Sequence, residues 1–289
     1  MIQVALSGRA AQQMSKATRF KASTIASFLQ QSKNTSLPDH TKLVIDEASM
    51  VDVGTMYRIL KHIPPETRIV LVGDAGQLPP IGAGLVLHTL LHNKNIPVTE
   101  LKVVNRHGGM IAKVATSIRE GIWLDLPENI DDEICFISCS RDDLIKNILS
   151  LYTMYYEDNS NVQILEPIKK GSFFGTTHTN KYCQELLADK DKLIKIQNQE
   201  FDVPEALAIR EGEPVLCTQN HWDKGLQNGS LGRVVCVYDE PREAFDEDNS
   251  VIGTAYADLE WDDGEIRPLT DDLVDDIVLA YSITIHKSQ

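Results

Sequence analysis

The stretch LVIDEAS, from Leu43 to Ser49, decides how the first half of this sequence is interpreted. It is a short apolar run that ends in two adjacent carboxylates, Asp46 and Glu47. Buried parallel strands show such runs, and α/β proteins bind ligands at the carboxyl ends of these strands. Asp46 can hold Mg²⁺, directly or through a water, and Glu47 can polarise a water that attacks a phosphate. Taken alone, the motif is better explained as an ordinary strand end, because apolar runs that end in Asp-Glu are common.

A second motif, VGDAGQLPPIGAG, runs from Val72 to Gly84 at the end of the next predicted strand. The amide of Gln77 is long enough to reach a phosphate oxygen or an attacking water. Pro79 and Pro80 stiffen the loop because proline fixes φ and removes a donor. The glycines that follow let the backbone approach a ligand closely. Two such motifs on consecutive strands favour a shared site over a generic turn.

Strand-like and helix-like segments alternate around these motifs, which predicts a parallel α/β sheet covered on both faces. Asp52 is a predicted N-cap, and Gly121 is a predicted helix stop. A third strand-like run extends from Ile96 to Leu101. The helix after Asp52 is predicted to bury one face, made of Val53, Met56, Leu60 and Ile63.

The pattern changes near Phe201, where strands follow one another without helices and predict a small all-β barrel or sandwich. Asn228-Gly229 and Asp263-Gly264 are strong tight-turn signals. From Ile277 to Ile285 the chain returns to one apolar strand. The predicted β strands are Glu213 to Gln219, Leu231 to Val237, and Gly253 to Trp261, the last with Ala255, Ala257, Leu259 and Trp261 on one face.

The net charge of −14 is distributed unevenly along the chain. The stretch from Asp239 to Asp276 holds fifteen acidic and two basic residues, whereas residues 1–38 hold five basic residues and no acidic one. The overall acidity therefore does not exclude a polyanionic partner. We expect the acidic residues to lie on outward faces of the β segment and in a loop from Asp239 to Asn249, away from any polyanion site.

Composition narrows the class of protein further. The hydrophobic fraction of 42% and charged fraction of 24% exclude a disordered chain, a collagen-like repeat and a coiled coil. No apolar run approaches the ~20 residues of a membrane helix, and no secretory signal is visible. Free thiols in a reducing cytoplasmic setting are the simplest interpretation of the five cysteines.

The two long motifs, in this order, resemble motifs II and III of superfamily 1 DNA helicases, specifically the RecD-like branch. Ser7 to Ala11, SGRAA, resembles motif Ia of that branch, and Asn105-Arg106-His107 resembles its RQ element. Glu211 to Val215, with the Asn228-Gly229 turn, resembles the start of its inserted β-barrel. Ala280 to Gln289, AYSITIHKSQ, resembles motif V. The resemblance covers essentially the whole chain.

The resemblance implies an α/β fold with two RecA-like P-loop NTPase domains, both incomplete, and a small all-β barrel inserted in the second. The first domain is expected over residues 1–100. The second is expected over residues 101–200 and 277–289, with the barrel over residues 201–276.

The resemblance also implies a function, an ATP-dependent DNA helicase that uses ATP and Mg²⁺ and translocates on single-stranded DNA from 5′ to 3′. The implied roles are Asp46 as Mg²⁺ ligand, Glu47 as catalytic base, and Gln77 and Arg106 as γ-phosphate contacts, with Gln289 also binding the nucleotide. The implied DNA-binding residues are Gly8, Arg9, Thr24, Pro79, Thr284, His286 and Lys287. Two alternatives stay open, a surface ion pair for Arg106 and a helix cap for Thr24.

Two motifs of the family are missing from these residues. The sequence contains no GxxxxGK[ST], and motif VI with its arginine finger is absent. An arginine finger contributes roughly 10³ to 10⁵ in rate, so we expect a fragment of a longer helicase that is inactive alone. A non-catalytic nucleic-acid-binding remnant and the helicase part of a conjugative relaxase are the alternatives. Partner subunits of a repair, recombination or conjugation complex are a further expectation.

Overall fold

The computed structural model describes residues 1–31, 37–101, 108–129, 133–157, 162–171, 174–187, 192–198, 203–245 and 250–287. The chain divides into two compact units. The first comprises Met1–Leu6 and Phe20–Asp143, and the second comprises Ser7–Arg19 and Leu144–Gln289. Among the described residues, no helix combines the length and apolarity that crossing a membrane requires.

The helices and strands of the described residues are as follows. The helices are α1 (Gly8–Thr18), α2 (Ile25–Gln31), α3 (Val53–His62), α4 (Val86–Leu91), α5 (Gly109–Arg119), α6 (Leu144–Glu157), α7 (Thr176–Leu187) and α8 (Asp271–Val274). The strands are β1 (Ile2–Ala5), β2 (Ala22–Thr24), β3 (Lys42–Asp46), β4 (Arg68–Leu71), β5 (Ile164–Glu166), β6 (Leu193–Asn198), β7 (Val203–Arg210), β8 (Pro214–Cys217), β9 (Leu231–Phe245), β10 (Val251–Trp261), β11 (Ile266–Thr270), β12 (Ile277–Leu279) and β13 (Ser282–Thr284).

A parallel sheet in the order β2-β1-β3-β4 forms the centre of the first unit. Its core contains the fully buried side chains of Val4, Leu43 and Ile45. The α/β prediction and the strand predicted at Asp46 are therefore confirmed. The third predicted strand is wrong, because Ile96 to Leu101 is irregular and exposed. Pro97, which has no N–H to donate, lies inside this run.

The local helix signals in this unit are correct, but one predicted face is not. Asp52 caps α3, and its Oδ1 accepts from the N–H of Thr55 at 2.6 Å. The helix α5 ends just before Gly121, whose φ is 74°. In α3, however, Leu60 is 52% exposed, and Ile59 is the fully buried residue. The periodic pattern is rotated by one residue because the sheet, not the helix, sets which side faces the core.

An antiparallel sheet in the order β11-β10-β9-β8-β12 dominates the second unit. The predicted β strands are confirmed, and both tight turns contain a glycine with positive φ, 105° at Gly229 and 86° at Gly264. The predicted face of β10 is also confirmed, because all four of its residues are buried. The predicted acidic loop from Asp239 is wrong in its first part. Residues up to Phe245 continue β9, where Arg242 pairs with Ala255 of β10.

Two further strand pairs complete this unit. The hairpin of β6 and β7 contributes Ile194 and Ile209 to the same core as the antiparallel sheet. The single strand predicted from Ile277 to Ile285 is two strands. After β12 pairs with β8, the chain turns at residues 280–281, and β13 then pairs in parallel with β5.

Candidate functional site

Backbone hydrogen bonds join the carboxyl ends of β3 and β4 in the first unit. The N–H of Val72 donates to the carbonyl of Ile45 at 2.8 Å, and the N–H of Ala48 donates to the carbonyl of Val72 at 2.9 Å. These bonds place the residue pair Asp46 and Glu47 beside the start of the 72–84 segment. The two long sequence motifs are thus neighbours in space.

Glu47 adopts a left-handed backbone conformation, with φ of 51° and ψ of 38°. Its N–H donates to Oδ1 of Asp46 at 2.9 Å. Both side chains are half-buried. Left-handed geometry is costly for a residue with a Cβ, so the surrounding hydrogen bonds must hold this turn. The backbone of this turn is thus held in place, and the Asp46 carboxylate is anchored by the N–H of Glu47.

Gly73 allows the ends of β3 and β4 to approach so closely. A Cβ at this position would lie 2.9 Å from the nitrogen of Ser49, 3.0 Å from the nitrogen of Ala48, and 3.2 Å from Leu87. Two of these neighbours are backbone atoms, which cannot rotate away. Any larger residue would therefore push the carboxylate turn away from the 72–84 segment.

The turn that carries Gln77 is held from two directions. Its N–H donates to the carbonyl of Asp74 at 3.0 Å. Oδ1 of Asp74 accepts from the N–H of Gly76 at 2.9 Å, and Arg119 of α5 pairs with both carboxylate oxygens of Asp74. Nε2 of His88 lies 2.9 Å from the carbonyl oxygen of Ala75. The side chain of Gln77 is exposed at the tip of this braced turn.

Other predicted residues of the first unit have different surroundings. Pro79 is exposed in the same loop. Thr24 is buried, with 6% exposure, and its Oγ1 accepts from the N–H of Ser27 at 3.1 Å at the start of α2. The helix-cap alternative thus describes the contact that Thr24 makes. Arg106 and Gln289 lie outside the described residues.

A cavity of about 200 Å³ in the second unit brings together residues from both ends of the sequence. Arg9, on α1, lines it with His286 and Lys287, which lie in the turn Ile285–Lys287 after β13. Nζ of Lys287 also contacts Oδ1 of Asn228. Thr284 precedes this turn in β13 and does not line the cavity. Three predicted DNA-binding residues are thus neighbours in space.

Gly8 sets the distance between α1 and the turn at residues 225–230. A Cβ on Gly8 would overlap the side chain of Gln227, whose Oε1 lies only 0.6 Å from the ideal Cβ position. Gly8 is buried, so its contribution here is close packing. The helix is capped by Ser7, whose Oγ accepts from the N–H of Ala10 at 3.2 Å.

One cation of this cavity, Lys287, is half-buried. Burial lowers the pKa of Lys287, and the nearby positive charge of Lys169 lowers it further, while Cys217 has the opposite effect. A bound anion would oppose this lowering because it stabilises the charged form of Lys287. The site therefore favours an anionic group at Lys287.

The expectation that the acidic stretch avoids the polyanion site is wrong for two residues. Asp262 and Asp263, from the turn between β10 and β11, line the same cavity as Arg9. Partial burial raises the pKa of Asp262, although its side chain still reaches solvent, and Arg9 opposes that rise. Asp263 instead pairs with Arg267 at 2.7 Å, which lowers the pKa of its carboxyl.

Four residues around these sites carried no functional prediction. Asp262 and Gln227 lie next to the tight-turn signals, which could have drawn attention to them. Lys16 lines the cavity about two helical turns after Arg9. Arg119 gave no sequence signal, because its partner Asp74 is distant in the chain.

The chain is similar to known proteins over most of its length. A family model described as an AAA domain matches residues 1–128. The ATP-dependent RecD2 DNA helicase of Deinococcus radiodurans is 27% identical over 290 residues, covering 98% of this chain and 36% of that protein. The RecBCD enzyme subunit RecD of Mycolicibacterium smegmatis is 27% identical over 267 residues, covering 86% of this chain and 43% of that protein.

The sequence resembles RecD-type helicases. The resemblance inferred from motifs is thereby confirmed. A solved structure of two coordinating Pif1 helicases at forked double-stranded DNA matches the whole of this chain and 72% of its own chain, with a TM-score of 0.53 and 18% identity. It shows that the α/β fold of this chain resembles the fold of that helicase. The chain spans less than half the length of the two relatives described.

Proposed function

We propose that this chain is part of an ATP-dependent DNA helicase that moves along single-stranded DNA from 5′ to 3′. The supporting observation is the cavity that joins Arg9 of motif Ia to His286 and Lys287 of motif V. These residues come from opposite ends of the sequence and supply the cations that phosphate contacts need. The direction of movement is supported by family resemblance alone.

The carboxylate turn of the first unit is the proposed nucleotide site. Asp46 would hold Mg²⁺, Glu47 would accept the proton of the attacking water, and Gln77 would contact the γ-phosphate. Arg106 and Gln289 are assigned to nucleotide binding by resemblance alone. The fixed turn at Glu47 and the braced turn at Gln77 support these roles, because catalytic groups act best when their positions are held.

The donor set of this turn fits Mg²⁺. Among the residues described, no group of three or more His, Cys, Asp or Glu side chains forms a metal cage. Mg²⁺ in nucleotide sites takes one or two carboxylates and completes its shell with phosphates and waters. Asp46, half-buried at the end of β3, offers such a carboxylate. The ion would supply positive charge that neutralises phosphate oxygens.

The finer architecture is also a proposal. The antiparallel sheet, with the β6–β7 hairpin packed on its core, supports a small β-barrel inserted into a second RecA-like domain. The parallel pair of β5 and β13 supports the presence of that second domain on either side of the insertion. The boundaries proposed for these domains remain residues 1–100, 101–200 with 277–289, and 201–276.

A DNA-binding assay tests the proposed function. Fluorescence anisotropy with labelled oligo(dT) is expected to show binding that weakens as salt rises, because phosphate contacts release counterions. Arg9→Ala or Lys287→Ala should weaken binding by about tenfold. Each loss should also lower the salt slope by ~0.7, the value for one single-strand contact. Lys61→Ala, an exposed cation at the end of α3, is the matched control. Equal binding by all variants would overturn the proposal.

A non-catalytic nucleic-acid-binding protein is the second candidate, favoured by the absence of GxxxxGK[ST] from these 289 residues. A P-loop supplies backbone donors and a lysine for the phosphates. We therefore expect no phosphate release from ATP by the 289-residue chain, with or without DNA. Rapid DNA-stimulated release would contradict this expectation. Partner subunits of a repair, recombination or conjugation complex are a further proposal, supported by the name of the RecD relative.

A further inference from the structure

The cavity at Arg9 contains hydrogen-bond acceptors that a phosphate-only site would not need. The carboxylates of Asp262 and Asp263 line it together with the cations Arg9, Lys16 and Lys287. A phosphate has acceptor oxygens and negative charge, so carboxylates repel it. Asp263 is engaged by Arg267, but the charge of Asp262 acts across the cavity on Arg9. The occupant must therefore offer donors as well as negative charge.

The size of the cavity limits what can enter. Its volume of about 200 Å³ is below the roughly 300–1,000 Å³ of pockets that hold drug-sized ligands. One planar ring system is a suitable occupant, and a whole nucleoside triphosphate is too large. The cations that line the cavity can hold the phosphates on either side of that ring.

We propose that this cavity holds one base of the bound single strand and prefers cytosine to thymine, with Asp262 as the residue that sets the preference. This inference rests on the proposed single-stranded DNA binding. A carboxylate accepts from the exocyclic amino group of cytosine, whereas thymine has a carbonyl at that position. Gln12 and Gln13 of α1 add amides that adapt to either role.

The arrangement joins two kinds of recognition in one place. Arg9 and Lys287 bind the backbone and give affinity, while Asp262 reads a base edge and gives preference. Asp262 also limits affinity for the wrong base, because its charge repels a thymine carbonyl. This contact alone would produce a preference between the two pyrimidines, and it needs only a base of a single strand, not a base pair.

The test compares two oligonucleotides and three proteins. Anisotropy is measured with oligo(dC) and oligo(dT) of equal length, at pH 7.5 or above, for the unchanged chain, Asp262→Asn and Glu265→Gln. The unchanged chain should bind oligo(dC) at least fivefold more tightly, as expected for one good base contact. Asp262→Asn should bring this ratio close to one, because its amide can donate to thymine O4 and accept from cytosine.

Glu265→Gln is the matched control because it removes the same charge from the same turn. Glu265 does not line the cavity. Its backbone carbonyl, which accepts from the N–H of Trp261 at 3.0 Å, is untouched by the change. It should raise the affinity for both oligonucleotides equally and leave their ratio unchanged. Thermal melting confirms that each variant is folded.

The outcomes separate this inference from the proposed function. Failure of the unchanged chain to bind either oligonucleotide would overturn single-stranded DNA binding itself. Binding of both with equal affinity would overturn only the base preference. An unchanged ratio in Asp262→Asn would remove Asp262 from that role.

Discussion

Arg119 and Asp74 form a two-pronged ion pair, with Nη1 3.0 Å from Oδ2 and Nη2 2.8 Å from Oδ1. The same carboxylate accepts from the N–H of Gly76, so the pair braces the turn that carries Gln77. A helix that follows the proposed Arg106 segment is thus tied to the proposed γ-phosphate contact. Both partners are in the first unit.

Replacing Arg119 by Ala should loosen this turn with little effect on global stability. The side chains of Arg119 and Asp74 are 52% and 34% exposed, and pairs this accessible to solvent contribute ~0–1 kcal/mol to the free energy of unfolding. Local opening is a separate quantity, so the amides of Gly76 and Gln77 should exchange faster with solvent. Hydrogen exchange measured by mass spectrometry checks this. Lys113→Ala, on the exposed side of the same helix, is the control and should leave both amides unchanged. Identical exchange in the two variants would show that the pair does not brace the turn.

Replacing Gly73 by Ala should destabilise the chain by about 1–3 kcal/mol, because overpacking against atoms that cannot move is costly. The new Cβ would lie within 3.0 Å of two backbone nitrogens that follow Glu47. Urea denaturation measures the loss.

Gly54→Ala provides the comparison for that experiment. Gly54 lies in α3, where a Cβ would meet only Oδ1 of Asp52 at 3.5 Å, an ordinary contact. Alanine is better than glycine in a helix by roughly 0.5–1 kcal/mol. We therefore expect Gly54→Ala to raise the free energy of unfolding and Gly73→Ala to lower it. A stabilising Gly73→Ala would refute the close approach of β3 and β4.

Glu213 should give the second unit an unusual dependence of stability on pH. Its side chain is 1% exposed and accepts from the N–H of Arg210 at 2.6 Å, the amide of Gln184 at 2.9 Å, and the hydroxyl of Tyr281 at 3.0 Å. Burial raises the pKa of this carboxyl, and these hydrogen bonds only partly oppose the rise. A raised pKa means that the folded state binds the proton more tightly than the unfolded state does.

The sign of the pH effect follows from that difference in proton binding. The contribution of Glu213 is complete below its unfolded pKa, near 4.5, and is lost as pH rises through the higher folded pKa. The unfolding free energy of the unchanged chain minus that of Glu213→Gln should therefore fall as pH rises. Denaturation at a series of pH values measures this difference.

Glu211→Gln is the control with the opposite sign. Its hydrogen bond with Lys192 lowers the pKa of Glu211, followed by a hydrogen bond from the N–H of Val237. Its contribution is present above the unfolded pKa and is lost as pH falls. The unfolding free energy of the unchanged chain minus that of Glu211→Gln should therefore increase with pH. If the two free-energy differences changed with pH in the same direction, the opposite pKa shifts assigned to Glu211 and Glu213 would be contradicted.

Local signals predicted most elements of the fold. The N-cap at Asp52, the stop at Gly121 and the turn at Gly264 each depend on a few neighbouring residues, and each is confirmed. Errors arose where a distant partner decides the outcome. Leu60 is exposed because of how α3 lies on the sheet, and residues 239–245 form a strand because β10 pairs with them.

The candidate sites were predicted in part. Asp46, Glu47 and Gln77 are recognisable because each belongs to a continuous motif, although their roles stay predictions. The presence of Asp262 beside Arg9 could not be inferred from the sequence. The residues of an Asp-Asp-Gly turn predict the turn itself but not which helix the turn will face in the folded chain. For the same reason, the distribution of charge along the sequence led to the wrong expectation that Asp262 lies away from Arg9.

Because the backbone at Glu47 is left-handed, the residue that would make this position most stable differs from the residue proposed to act in catalysis. A non-glycine residue in this conformation costs on the order of 1 kcal/mol or more. Glu47→Gly should therefore raise the urea midpoint, while Glu47→Gln, which keeps the Cβ, should not. A selection scheme that rewards thermostability alone would accept the first change and discard the carboxylate proposed to activate water. Engineers of this chain should hold position 47 fixed, since here a better-folded protein and a working one call for different residues.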